Sequence, residues 1–239
     1  MILLLGGTAE ARELAARTPV LSSLAGRVSN PRLPEGEVRI GGFGGVDGLA
    51  SFLSSEGVKA VVDATHPFAA GISANAAAAC ARVGVPLLRL ERPGWSDLAQ
   101  AGRWHWVDNH EDAAWLAADL GERVFLSTGR QSLPVFEKVL PVVVARVVEP
   151  AVDDALLPEG WLLLLDRGPY TLEGELALLR QHQIDVVVTK DSGGDYTRPK
   201  LDAADELGIE VIVVRRPPPP AGVDVVSSVD AAVDWLAAR

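Results

Sequence analysis

A glycine pair near the start of the chain lies where a phosphate-binding loop is expected. The sequence MILLLGGTAEAR runs from an apolar stretch through Gly6, Gly7 and Thr8 into residues that favour a helix. A helix N-terminus presents unpaired N–H groups and the positive end of its dipole, so it binds anions such as pyrophosphate. Thr8 can cap this helix and donate to a phosphate, and Ala11 replaces the third glycine of the dinucleotide fingerprint. The motif predicts a nucleotide-binding loop, with a purely structural turn as the alternative.

Residues around the end of the second apolar stretch indicate which dinucleotide would bind. Ser22, Ser23 and Arg27 lie where the adenosine ribose is expected, and no acidic residue follows until Glu35. NAD-binding proteins usually place an acidic side chain on the ribose 2′-hydroxyl, whereas hydroxyls and an arginine suit a 2′-phosphate. The sequence thus favours NADP over NAD. The alternative is that Arg27 is a solvated surface residue.

Two further segments of the first half carry polar or flexible residues after a strand. The glycine-rich GGFGG, with Gly42 and Phe43, either borders the cofactor or is a flexible connector. The segment DATHPFA places Thr65 and His66 at the end of a buried strand, where a ligand cleft would begin. His66 is a candidate proton donor or cofactor contact, with a structural histidine as the alternative. The four histidines are scattered and Cys80 is the single cysteine, so no metal site is expected.

Cationic and glycine-rich loops follow several strands of the second half. Arginine forks and glycine-rich helix starts bind carboxylates, so these loops predict an acidic ligand. Each of these residues alone could instead be an ordinary surface charge. The candidate ligand-binding residues of this half are Arg130, Arg167, Tyr170, Lys190, Ser192, Gly193 and Lys200.

Short apolar runs alternate with helical patterns along the chain, which predicts parallel sheets covered by helices. The predicted strands are 2–5, 20–22, 38–40, 60–63, 87–90, 104–107, 124–127, 142–147, 162–165, 186–189, 211–214 and 225–226. The predicted helices are 9–17, 46–55, 71–83, 112–120, 172–182 and 199–207.

An internal repeat indicates two similar α/β units. GVPLLRLERP, starting at Gly84, resembles GIEVIVVRRP, starting at Gly208, and the same offset places Thr65 over Thr189 and His66 over Lys190. The fold class predicted is α/β, with two Rossmann-like parallel-sheet lobes and an interdomain cleft. The expected domains are an NADPH-binding lobe at 1–118 and a ligand-binding lobe at 119–239. A chance match between βα units is the alternative.

Charge and hydropathy exclude some function classes. The net charge of −10 makes nucleic acid an improbable partner, because that affinity depends on lysine and arginine contacts to phosphate. The N-terminus has no signal-peptide pattern, and no apolar run reaches the roughly 20 residues needed to span a bilayer. A cytoplasmic protein without membrane contact is expected.

The motifs together resemble the precorrin-6A reductase family of cobalamin biosynthesis. The resemblance covers nearly the whole chain in order, through LLLGGTAEAR, SLAGR, GGFGG, DATHPFA, RGPYTLEGE, KDSGG and VIVVRRP. It implies a two-domain Rossmann-like enzyme that uses NADPH to reduce one double bond of the macrocycle precorrin-6A, giving precorrin-6B. The many carboxylates of that tetrapyrrole would explain the cationic loops of the second half. An unstable intermediate also makes transient contact with neighbouring pathway enzymes plausible.

The resemblance assigns roles to the residues already singled out. It implies that Gly6, Gly7 and Thr8 hold the pyrophosphate and that Ser22, Ser23 and Arg27 lie near the 2′-phosphate. Gly42, Phe43, Thr65 and His66 would border the nicotinamide, and the cationic set of the second half would receive the substrate carboxylates. His66 or Lys190 is the expected proton donor if water does not serve. A different NADP-dependent reductase of a polycarboxylate and a non-catalytic dinucleotide sensor remain as alternatives.

Overall fold

A computed structural model of the chain describes residues 1–26, 32–149 and 157–239, and shows apolar runs as short parallel strands. The strands are β1 (Ile2–Leu5), β2 (Leu21–Leu24), β3 (Glu37–Ile40), β4 (Ala60–Asp63), β5 (Leu87–Leu90), β6 (His105–Val107), β7 (Val124–Ser127), β8 (Val143–Val147), β9 (Trp161–Leu165), β10 (Val186–Lys190), β11 (Glu210–Val214) and β12 (Asp224–Val226). Every strand predicted from the sequence is present, with ends that differ by two residues at most.

Helices lie between most of these strands. They are α1 (Ala9–Arg17), α2 (Gly45–Ser55), α3 (Ala70–Val83), α4 (His110–Leu120), α5 (Leu133–Phe136), α6 (Leu172–Gln181), α7 (Pro199–Leu207) and α8 (Val229–Ala237). Side chains of Thr8, Asn109, Thr171 and Ser228 cap four of them by accepting a backbone N–H of the first turn. The sequence prediction omitted α5 and α8. The four-residue α5 is too short for a periodic pattern.

The described strands form two six-stranded parallel sheets with the same arrangement. One sheet has the order β3-β2-β1-β4-β5-β12 and the other has the order β9-β8-β7-β10-β11-β6. Both correspond to the Rossmann order 3-2-1-4-5-6, in which ligands bind beyond the carboxyl ends of the strands where the order reverses. The reversal falls between β1 and β4 in the first sheet and between β7 and β10 in the second. The predicted α/β class with two parallel-sheet lobes is confirmed.

The two units exchange their last strand and helix. One unit comprises Met1–Pro93 and Pro217–Arg239, and the other comprises Gly94–Arg216. After β5 the chain enters the second unit and adds β6 and α4 to it, and after β11 it returns to add β12 and α8 to the first. The expected division at 118/119 is therefore wrong, because it assigned each sixth strand to the preceding sheet. β5 and β11 have similar sequences and the same position in their sheets, so the sequence pattern alone does not show which of them β6 or β12 pairs with.

The repeat with an offset of 124 residues corresponds to equivalent strands. It relates β4 to β10 and β5 to β11, which occupy the same positions in the two sheets. The central strands are buried on both faces, as the apolar runs predicted; Val61, Val62, Val187 and Val188 are all fully buried.

Two further sequence expectations concern single features. Cys80 is buried on α3, where burial raises the pKa of its thiol to about 11. Within the described ranges, every helix is too short or too polar to cross a bilayer.

Candidate functional site

The loop after β1 brings a glycine to the switch point of the first sheet. The Gly6 N–H donates to the Ser23 carbonyl at 3.0 Å, which holds the loop against the end of β2. Gly7 has a φ of +121°, a backbone conformation that residues other than glycine rarely adopt. A Cβ there would meet nothing within 4 Å. The open space over Gly7 leaves the backbone accessible to a bulky anion.

The Thr8 side chain stabilises this loop through two hydrogen bonds within the protein. Its Oγ1 accepts the Ala11 N–H at 3.1 Å as the cap of α1 and donates to the Ala64 carbonyl, beyond β4, at 2.8 Å. A hydroxyl has a single proton, so Thr8 Oγ1 is not available to donate to a phosphate. This corrects the expected phosphate contact of the Thr8 hydroxyl: the side chain joins the two loops that flank the switch point.

Ser22 and Ser23, the two middle residues of β2, differ in their surroundings. Ser23 Oγ accepts from Arg39 Nη1 at 2.8 Å. Ser22 Oγ is buried, and no residue that the structure describes hydrogen-bonds to it. A buried hydroxyl without a partner is uncommon and needs a reason, such as a bound ligand or water. Ser22 is therefore the hydroxyl of the pair that fits a ligand.

The buried Ser22 hydroxyl lies at a recess beside the glycine loop. The residues that line it are Gly6, Gly7, Ala11, Arg12, Ser22, Leu24, Arg32 and Pro34. Arg27, which the sequence placed beside the ribose, lies outside the described residues. Arg12 on α1 and Arg32 are the cations at this recess, and the sequence analysis missed both. Arg12 is the last residue of the GGTAEAR motif, but its place one turn into α1 did not indicate that it would face a ligand.

The glycine-rich segment between β3 and α2 is braced by a side chain that the sequence analysis also missed. Arg39 donates to the carbonyls of Gly41 and Gly42 at 3.0 and 3.2 Å and covers the Phe43 ring at 3.9 Å. Burial lowers the pKa of the Arg39 guanidinium. A Cβ on Gly48 would lie 1.7 Å from the Phe43 carbonyl oxygen, so only glycine fits there. These contacts define the segment's shape, which argues against a flexible connector.

A buried ionic network supports the loop after β4. Arg89 Nη1 lies 2.9 Å from Asp63 Oδ1 and 3.1 Å from Thr65 Oγ1, and Arg89 Nη2 lies 2.8 Å from Glu91. The Thr65 hydroxyl donates to Asp63 at 2.7 Å. Its proton is thus used inside the protein, and Thr65 acts by fixing the strand end that leads to His66.

His66 emerges from this network with a defined tautomer. Its Nδ1 accepts the Phe68 N–H at 3.2 Å, so the neutral imidazole carries its proton on Nε2. A proton on Nε2 is the form needed to donate to a neighbouring acceptor. Asp63 and Arg89, which the sequence analysis did not assign, hold Thr65, the residue directly before this histidine.

In the second unit, Lys190 ends β10 at the switch point of its sheet. A Cβ built on Gly129, in the loop after β7, would lie 3.6 Å from Lys190 Nζ, so the ammonium lies over this glycine. Burial lowers the pKa of Lys190 to about 8. His110 at the start of α4 is coupled to it: burial and then the Lys190 charge lower the pKa of His110. The sequence analysis missed His110, whose Nε2 is buried without a hydrogen-bond partner in the described part of the chain.

The neighbours of Lys190 lie in two loops at the same end of the sheet. Arg130 begins a short 3₁₀ turn directly after Gly129 and is partly buried. Ser192 follows Lys190 closely, with its N–H donating to the Lys190 carbonyl at 2.6 Å, and Gly193 has a φ of +66°. The second sheet thus brings together Arg130, Lys190, Ser192 and Gly193 from the predicted set.

Tyr170 and Arg167 lie in the loop before α6. The Tyr170 ring covers the guanidinium of Arg146 at 3.6 Å, and its hydroxyl donates to the Asp166 carbonyl at 3.2 Å. Burial raises the pKa of the Tyr170 hydroxyl. The Arg167 N–H donates to Asp166 Oδ1 at 2.8 Å. Tyr170 is thus packed against the interior through one face, and Arg167 is partly exposed beside it.

Lys200 is in the interior, which corrects its expected role as a ligand contact. The residue is 2% exposed, and its Nζ donates to the Thr197 carbonyl at 2.6 Å and lies 4.9 Å from the centre of the Trp95 ring. Burial, with a further contribution from the charge of Arg146, lowers the pKa of Lys200 to about 7. A side chain so enclosed does not reach a substrate carboxylate.

The Lys200→Met variant is expected to be more stable than the wild type near pH 7, by about 2–3 kcal/mol after the lost hydrogen bond is subtracted. The unfolded lysine titrates at its ordinary pKa of 10.5 and the folded one at about 7. Between these values the unfolded state binds more protons, so wild-type stability rises with pH and the advantage of methionine shrinks. Urea unfolding at neutral and alkaline pH measures this. The exposed Lys138→Met variant is the control, and equal pH slopes for all three proteins would contradict the prediction.

Comparison with known proteins identifies the family of this chain over nearly its whole length. The sequence profile described as "Precorrin-6x reductase CbiJ/CobK" matches residues 1–237. This chain belongs to the precorrin-6x reductase family. The precorrin-6A reductase of Rhodococcus erythropolis is 50% identical over 98% of this chain and 96% of its own length. That of Rhodobacter capsulatus is 42% identical over 99% and 95%.

A solved structure of the family has the same fold. The structure described as "CobK precorrin-6A reductase" has a TM-score of 0.91 and 42% identity, and the match covers 99% of this chain and 96% of that one. Membership of the precorrin-6x reductase family confirms the oxidoreductase class and the family expected from the motifs.

Proposed function

We propose that this chain reduces one double bond of precorrin-6A with NADPH and so forms precorrin-6B. The substrate is the one named for its relatives, and family membership as a reductase implies a nicotinamide cofactor. The observation that carries the choice of NADPH is the recess beside Gly7, where the buried Ser22 hydroxyl has no partner among the described residues. Arg12 and Arg32 line the same recess. A hydroxyl on β2 and two nearby cations, in a lining without an acidic residue, fit a 2′-phosphate.

The metal-free macrocycle is the favoured form of the substrate. Relatives named precorrin-6A reductase are 42–50% identical to this chain. Relatives named cobalt-precorrin-6A reductase, from Priestia megaterium and Salmonella typhimurium, are 36% and 31% identical. The substrate carboxylates would be received by the partly buried cations Arg130, Arg167 and Lys190.

NADPH supplies a hydride when bound, and a proton must reach the neighbouring carbon of the reduced bond. The chain's own residues bind the two partners, exclude water and hold that proton. His66 carries a proton on Nε2, and Lys190 carries one on Nζ below about pH 8. Lys190 ends β10 and lies over Gly129, next to the proposed carboxylate contact Arg130, so it is the proton donor or the ammonium that pairs with a substrate carboxylate. Water remains the donor if neither residue is required.

The direct test follows NADPH absorbance in the presence and absence of precorrin-6A, with the product identified by mass. Oxidation that depends on the tetrapyrrole and adds two hydrogens to it supports the proposal. Binding of NADPH without oxidation would instead identify a dinucleotide sensor. Oxidation with another polycarboxylate alone would identify a different reductase, and failure to bind NADPH would exclude both reductase functions.

The Ser22→Ala variant is expected to weaken NADPH binding by about tenfold, because one hydrogen bond to a charged group is lost. NADH binding should change little, since NADH has no 2′-phosphate. Stability should not fall, because no described residue bonds to the Ser22 hydroxyl. Titration calorimetry with both dinucleotides measures the ratio of the NADPH and NADH dissociation constants for the wild type and the variant.

Arg12→Ala is expected to show the same selectivity as Ser22→Ala, with a larger loss because a charge is removed. The control is Arg17→Ala on the same helix, whose side chain is exposed and pairs with Asp230 and Glu13. Equal losses of NADPH and NADH affinity in Ser22→Ala and Arg12→Ala would place the recess away from the 2′-phosphate.

A further inference from the structure

Asp191 directly follows Lys190. Its carboxylate is enclosed by residues from the start and the end of the second unit. Its Oδ1 accepts the Trp95 N–H at 2.9 Å and lies 3.2 Å from Arg216 Nη2, and its Oδ2 accepts from Arg216 Nε at 3.0 Å. The residue is 6% exposed. Both oxygens are thus engaged within the protein, and Asp191 is not offered to a ligand.

Two more contacts hold the loop after β10 in place. Trp95, which is almost fully buried, donates its Nε1–H to the Gly194 carbonyl at 3.0 Å. A Cβ on Gly94 would lie 2.7 Å from Asp191 Oδ2, so glycine is required for this close approach. Trp95 therefore hydrogen-bonds to the loop on both sides of Ser192, at Asp191 and at Gly194.

The residues that hold this loop lie at the two points where the chain passes from one unit to the other. Gly94 and Trp95 begin the second unit, and Arg216 ends it. A largely buried charge pair therefore holds the loop between β10 and α7. Such a pair is retained at a cost in desolvation, and it is best explained by a need for one defined geometry.

Building on the proposed function, we propose that the Asp191–Arg216 pair, with Trp95, positions Lys190 for the reaction. The pair holds the loop so that the Lys190 ammonium lies over Gly129 and beside the start of α4. Asp191 acts through Lys190 and touches neither cofactor nor substrate.

If the Asp191–Arg216 pair positions Lys190, breaking the pair should change the Lys190 pKa. Burial holds the Lys190 pKa at about 8, and His110 on α4 is the titratable group coupled to it by charge. When the pair is broken, the loop can move and Lys190 can reach water, so its pKa should rise toward the ordinary 10.5. A structural role confined to folding would lower stability and leave this pKa unchanged.

The experiment compares Asp191→Asn, Arg216→Lys and Arg216→Gln with the full-length wild type. The Lys190 pKa is measured without ligands by NMR of ¹³C-labelled lysine, with Lys190→Arg to assign the signal. Steady-state kinetics with NADPH and precorrin-6A give kcat and both KM values. Asp205→Asn is the matched control, because Asp205 pairs with Arg103 at the exposed surface of the same unit.

We expect Asp191→Asn and Arg216→Gln to raise the Lys190 pKa by about one unit or more and to lower kcat by about a hundredfold. KM for NADPH should not change, and Arg216→Lys should recover part of kcat. A Lys190 pKa that stays near the wild-type value in folded Asp191→Asn would overturn the inference, as would a loss of activity explained by unfolding alone. If only Arg216→Lys folds, an unchanged Lys190 pKa and kcat in that variant would overturn it equally. If the wild type does not act on precorrin-6A, the proposed function fails, and the ligand-free titration still decides the role of Asp191.

Discussion

Glu175→Gln is expected to destabilise the protein by about 3–5 kcal/mol. Glu175 and Arg146 form a bidentate pair, with Nη1–Oε1 and Nη2–Oε2 distances of 2.5 and 2.9 Å. Both side chains are less than 5% exposed. Glutamine leaves the Arg146 charge buried without a counter-charge, and the lowered pKa of Lys200 already reflects repulsion from Arg146.

The double variant Arg146→Met/Glu175→Leu distinguishes the cost of an unpaired charge from the value of the pair. Replacing a whole buried pair by apolar residues is often close to neutral, so the double variant should recover much of the lost stability. Urea unfolding of this double variant and of Arg146→Met and Glu175→Leu made singly gives the coupling free energy. Glu13→Gln is the control, since Glu13 pairs with Arg17 across an exposed turn of α1 and should change stability by less than about 0.5 kcal/mol. A loss below about 1 kcal/mol in Glu175→Gln would contradict the prediction.

Lys190→Met is expected to slow single-turnover reduction by about 10²–10⁴-fold at saturating NADPH. Methionine keeps the apolar stem of the side chain and ends one atom short of the ammonium, so it removes the charge with a small change in packing. Rapid-mixing absorbance measures the rate. His66→Gln is the companion variant: a wild-type rate there with a large loss in Lys190→Met assigns the proton to Lys190. Wild-type rates in both variants would remove both residues from the reaction.

The wild-type pH profile gives an independent check on Lys190. Its ammonium is the form that donates a proton or pairs with a carboxylate, and burial places the pKa at about 8. The fraction of ammonium falls as the pH rises through this value, so kcat/KM should decrease above about pH 8. Lys190→Met should lack this decrease at its lower rate. A wild-type profile that is flat to pH 10 would contradict the assignment.

Much of the fold follows from the order of residue types along the chain. Apolar runs such as Ala60–Asp63, separated by helical patterns, predict parallel strands buried on both faces, and all of the predicted strands are present. The loops that follow them, at Gly7, His66 and Lys190, were located because polar residues and glycines at strand ends are typical of ligand sites in α/β folds.

The sequence did not reveal the residues that support those loops. Arg39, Arg89 and Arg216 lie in or just after strands, and nothing in their spacing distinguishes them from surface charges. Their partners are between 16 and 26 residues away: Arg39 bonds to Ser23, Arg89 to Asp63 and Arg216 to Asp191. Only the pairing of parallel strands brings such positions together.

The sequence by itself determined the α/β class, the repeat, the family resemblance and the strand ends that carry Gly7, His66 and Lys190, because these depend on local patterns. The tertiary structure decided which sheet receives β6 and which receives β12, since β5 and β11 are similar strands and the sequence of either β6 or β12 could pair with them. It also decided which polar side chains have their hydrogen bonds filled internally, as in Thr8 and Lys200, and which, such as Ser22 and His110, have no partner among the described residues. Burial and hydrogen bonding depend on residues distant in the chain, and these separate a structural hydroxyl or ammonium from one that fits a ligand.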